Sequence, residues 1–147
     1  MMILSNRHQR GFAAVEMVLV TPVLLFFLVL VLELGNILIQ HNVLSKSVQN
    51  GARYAVSEVY GTIGGKIAPI SEIKNVVVYG QSSVGVAILS TLTTSDVTVD
   101  PDPDSIGSGD YVQVSVTYDY VPNFLSIPFS TENFAIPLSA TSVMRVL

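Results

Sequence analysis

The chain contains no cysteine and no tryptophan. The missing thiol excludes disulfides, thiolate metal sites and cysteine nucleophiles. Charge is scarce: 12% of residues are charged against 50% hydrophobic. That is about half the ~25% charge of a soluble domain and points to a membrane or a dense assembly. Positive charge is scarcer still. Beyond Arg7 and Arg10 the basic side chains are Lys46, Arg53, Lys66, Lys74 and Arg145, and the net charge is −4. Nucleic-acid binding needs a basic face, and none is visible, so no nucleic-acid partner is expected. Histidine is limited to His8 and His41. A serine nucleophile would need a base nearby, and His41 stands alone. Gly64-Gly65-Lys66 lacks the first glycine and the strand–loop–helix setting of a phosphate loop. No catalytic set can be assembled, so neither enzymatic activity nor a cofactor is expected.

What the chain does have is one long apolar run. Met17 to Leu32 carries no charge, and counting from Phe12 gives 21 residues. At ~1.5 Å per residue that length spans a hydrocarbon core of ~30 Å. Arg7, His8 and Arg10 flank its N-terminal side, which predicts that this end stays in the cytoplasm and that everything after Gln40 lies outside. A secretory signal would end in small residues suited to cleavage, but the run exits through Glu33-Leu34-Gly35-Asn36, which offers no such site. A plain single-span anchor accounts for length and flanks but leaves Glu16 unexplained. A carboxylate in a membrane helix costs roughly 2.5–3.5 kcal/mol at the centre, less near the end, and normally marks function. Pro22 removes one backbone donor and frees the Val18 carbonyl, so a kink is expected there.

Basic leader, Gly11, Glu16, Pro22, Glu33-Leu34-Gly35 and Gly51-Ala52-Arg53 stand in one register. In that register the chain resembles the TadE-type minor pilins of tight-adherence pili, within the wider type IV pilin family. The resemblance implies a leader of residues 1–11, cut after Gly11 by a prepilin peptidase so that Phe12 becomes the N-terminus. It implies that Glu16 pairs with the N-terminal amine of a neighbouring subunit and that Pro22 kinks the helix. The implied partners are membrane lipid, the prepilin peptidase, other pilin and minor pilin subunits and the Tad secretion machinery. The implied place is the bacterial inner membrane, single-pass, with possible entry into a surface pilus that serves adherence. The alternative is a single-span membrane protein whose small outer head binds a partner and never enters a filament.

Beyond the span, Leu44, Val48, Ala52, Ala55 and Val59 recur at helical steps, while Lys46, Gln49, Asn50, Arg53 and Ser57 face elsewhere. One long helix over 12–60 is expected, with 12–34 in the membrane. Two separate helices broken at Gly35-Asn36 would also fit, given the cost of glycine. "ISEIKNVVVYG" suits a short helix through Ile73, Val76 and Val77, although its valine run also favours a strand. Val97 and Val99 alternate with polar residues. Val112, Val114, Val116, Tyr118 and Tyr120 do the same, and Phe134, Ile136, Leu138, Ala140 and Met144 share one side of the last stretch. The expectation is an α+β fold in which the long helix covers a small antiparallel sheet of about three strands, forming a head over 61–147.

"DPDPDSIGSGD" places Asp100, Asp102 and Asp104 at alternate positions, with Asp110 beyond. These are weak candidates for Ca²⁺, because Ser105 and Tyr111 stand where the loop pattern wants glycine and an acid. A solvated acidic turn, with no metal, is the reading preferred.

Overall fold

The computed structural model describes residues 9–57, 67–100, 110–122 and 135–146. Among these residues it is an α+β chain with two α-helices, α1 (Gln9–Ser57) and α2 (Ile70–Tyr79), a short 3-10 turn (Thr94–Asp96) and three strands, β1 (Val97–Asp100), β2 (Tyr111–Tyr120) and β3 (Ile136–Arg145). Helix α1 begins at Gln9 and runs unbroken through Pro22 and through Gly35-Asn36. The two-helix alternative therefore does not hold. The chain falls into two units, Met1–Asn36 and Ile37–Leu147.

In the first unit the helix is apolar on every side. Phe12, Val18, Leu24, Phe27 and Leu32 are all more than half exposed. The helix that contains this segment is apolar and long enough to cross a membrane, with an 18-residue window of mean hydropathy 2.8 in which no residue is buried. A core helix of a soluble protein would bury one stripe. Among the described residues, none in that window is buried.

The second unit is a small helix-on-sheet head. Leu44, Val48, Ala52 and Ala55 of α1 are buried, and Lys46, Gln49, Asn50, Arg53 and Ser57 are exposed, as the stripe requires. Val59 lies outside the described residues. The sheet is antiparallel in the order β1-β2-β3. Its register sets Val97 opposite Val116 and Val99 opposite Val114 on one side. On the other side Leu138 meets Tyr118 and Ala140 meets Val116. Because paired residues share a face, Val97, Val112, Val114, Val116, Tyr118 and Tyr120 all enter one core with the α1 stripe. Each fully buried Val or Leu there contributes about 1.5–3 kcal/mol. Pro137 sits on β3, an edge strand, where its missing N–H does least harm. Phe134 lies outside the described residues.

Residues 70–79 form a helix, and its burial explains the ambiguous pattern. Ile73, Val76, Val77 and Val78 are all buried. Three consecutive valines are buried together because α2 is covered from more than one side, by α1 at Gly51 and by the strand β1. Gly80 ends the helix in the left-handed conformation (φ 73°), its N–H donating to the Val76 carbonyl at 2.9 Å.

Candidate functional site

Gly11 and Phe12 both lie within the first turns of α1. Glu16 follows Phe12 by four residues, so the two share a helix face one turn apart. Its side chain is exposed, as are those of its neighbours Val15 and Met17. The structure thus places a carboxylate on an uncovered apolar surface. His8 and the other residues of 1–8 lie outside the described residues.

At Pro22 the helix continues. The Thr21 hydroxyl donates to the Met17 carbonyl at 2.7 Å, a back-bond that often accompanies bending. Met17, Val18, Thr21, Pro22 and Leu25 line a shallow apolar groove on this surface, and Ala14, Val15, Val18 and Leu19 line another. Glu33 behaves unlike Glu16: it is 2% exposed. Two carboxylates on one apolar helix therefore have opposite surroundings.

Further along, the Gly-Ala-Arg segment has a structural job. A Cβ on Gly51 would collide with Cγ2 of Val77, and the Ile73 carbonyl lies 3.6 Å from that point. Gly51 is what lets α1 and α2 approach so closely. Sequence reasoning flagged Gly51 only as part of a motif, since nothing local announces which helix will press on it. Ala52 is buried in the core beside it, and Arg53 is exposed. At the other end of the head the Tyr118 hydroxyl donates to Oε1 of Gln40 at 3.0 Å, tying β2 to α1.

The acidic loop is only partly described. Asp100 ends β1 opposite Gln113, and Asp110 precedes β2, its carbonyl accepting from the Val146 N–H at 2.7 Å. Asp102 and Asp104 lie outside the described residues. Among the described residues no three potential metal ligands gather. His41 is exposed.

With this geometry in view, the comparison with known proteins bears on the first part of the chain. Residues 11–53 match the family described as TadE-like protein. The chain carries a TadE-like segment. That segment starts at the glycine before the apolar helix and ends at Arg53, so it takes in the span and most of the buried stripe. The match relates this segment to the Tad pilus system, and among the described residues α1 is the one helix apolar and long enough to cross a membrane. No curated protein and no solved structure matches the chain.

Proposed function

We propose that this protein is a minor pilin or pseudopilin of a Tad-type pilus. It is made as a precursor, cut after Gly11 by a prepilin peptidase, and held in the inner membrane by α1. Its helix then packs with those of other pilin subunits, in or beneath a filament used for surface adherence, with the Tad secretion machinery driving assembly. The supporting observation is the first half of α1, apolar and exposed on all sides within a TadE-like match. Lipid satisfies such a surface, and so do other apolar helices, because lipid tails and leucine side chains are equally apolar. Arg7 and Arg10 keep the N-terminal end in the cytoplasm, so the head is outside. The reading gives the protein no catalytic role and no cofactor.

On this reading Glu16 acquires its partner only after cleavage. Cutting frees the Phe12 amine, a positive charge at the lipid boundary, while Glu16 lies exposed one turn along. Each charge is costly alone in a low dielectric, and pairing offsets that cost when both are already buried. In a bundle, Glu16 of an incoming subunit meets the amine of a neighbour and sets its axial register. Mass spectrometry of the protein from its own cells should find a chain beginning at Phe12. Gly11→Leu should leave the precursor inserted but uncut. A wild-type protein that keeps Met1 would overturn the reading. Glu16→Leu should be inserted and cut yet fail to co-purify with other pilus subunits, and equal co-purification would remove the pairing role.

A further inference from the structure

Between the last turns of α1 and the loop that follows α2 lies an open cleft of about 370 Å³, lined by Asn50, Arg53, Tyr54 and Ser57 on one side and by Gln81 and Ser82 on the other. Among the described residues no acidic side chain lines it. The Tyr54 hydroxyl is turned away to Oε2 of Glu72 at 2.7 Å, and the Ser57 hydroxyl donates to the Tyr54 carbonyl at 3.2 Å. The loop wall is held by the Asn75 amide, which donates to the Ser82 carbonyl at 3.0 Å. Of the polar side chains that line the cleft, Arg53 carries five N–H donors, and Asn50 and Gln81 carry amides. Among the described residues no carboxylate pairs with Arg53, although the chain carries a net charge of −4.

We propose that this cleft receives a side-chain carboxylate from an acidic segment of a neighbouring polypeptide. A planar guanidinium grips a carboxylate with two parallel hydrogen bonds, and flanking amides can take the remaining lone pairs. One cation suits a monoanion better than a phosphate, which calls for more positive charge. The open mouth decides between a free molecule and a protein side chain. A pocket that retains a small ligand buries most of its surface. This one cannot, whereas a carboxylate presented by a folded neighbour needs no such enclosure. A lone exposed ion pair binds weakly, so the contact acts where subunits are already concentrated together. The site uses nothing from the membrane span, and its success or failure is independent of leader cutting.

The test is an NMR titration of the isotopically labelled full-length protein in detergent micelles. The probes are the blocked peptide Ser-Asp-Glu-Ser, its Ser-Asn-Gln-Ser counterpart, and acetate at matched carboxylate concentration. The acidic peptide should shift the Arg53 Nε–H and Gln81 amide resonances saturably, and the neutral peptide should not. Arg53→Ala, an exposed change, should weaken binding at least tenfold, and Gln81→Ala should weaken it less. Lys46→Ala removes an exposed cation outside the cleft and should change nothing. The proposal is overturned by an absence of saturable shifts, by equal losses in Lys46→Ala and Arg53→Ala, or by acetate binding as tightly as the peptide.

Discussion

The two halves of α1 obey different rules. From Phe12 to Leu32 the helix carries leucine, valine and phenylalanine around its whole circumference, and most of these side chains are exposed. From Leu44 to Ala55 apolar residues fall on one stripe, and that stripe is buried. An all-round apolar helix has no solution within a chain of this size and must take its cover from lipid or other helices. A striped helix is satisfied by its own sheet. One continuous element therefore joins a segment whose environment is external to a segment that is part of a self-contained core.

Leucine truncation tests that division most severely. Leu44→Ala should cost the head about 2–5 kcal/mol. Leu24→Ala, at a position 61% exposed, should leave the melting of the head unchanged. Thermal denaturation of both variants in micelles checks the contrast, and similar losses would erase it. A charge should produce the reverse asymmetry. Leu25→Arg should impair insertion by about 2.5–3.5 kcal/mol, whereas Gln49→Arg, on the exposed face of the second half, should not, as membrane fractionation would read.

The two glycines sharpen the comparison. Gly51→Ala must push against Val77, which is fully buried and stiff at χ1. Overpacking less the gain in helix propensity leaves a net loss of up to about 2 kcal/mol. The double variant Gly51→Ala with Val77→Ala should relieve the clash, and denaturation curves should show this as a smaller loss than the sum of the two single variants. Nothing lies within 4 Å of a Cβ on Gly35. Gly35→Ala should therefore stabilise the helix by about 0.5–1 kcal/mol, visible as slower amide exchange through the segment. The smallest effect expected in the head is Tyr118→Phe, which removes the bond to Gln40 and should cost about 0.5–1.5 kcal/mol by thermal melting.

Much of this was legible in residue patterns. Strict alternation in "YVQVSVTYDY" announces one buried face, because side chains on a strand point to opposite sides in turn. The stripe from Leu44 to Ala55 announces a helix against that face for the same geometric reason at a period of 3.6. The valine run of α2 was ambiguous, since a helix buried on several sides loses its periodicity and looks like a strand. Of the site, Gly11, Glu16 and Pro22 stood out by register. The burial of Glu33, the pressure of Val77 on Gly51 and the cleft beside Arg53 did not.

The distinction is physical. Length, hydropathy, the basic flank and the two periodicities are properties of neighbouring residues, so the sequence alone determined a membrane-length helix, its amphipathic extension and a β-rich head. Which α1 position α2 would press against, and that Arg53 would share a cleft with Gln81, depend on residues far apart in the chain. Only packing brings those residues together, and so only the tertiary structure decided them.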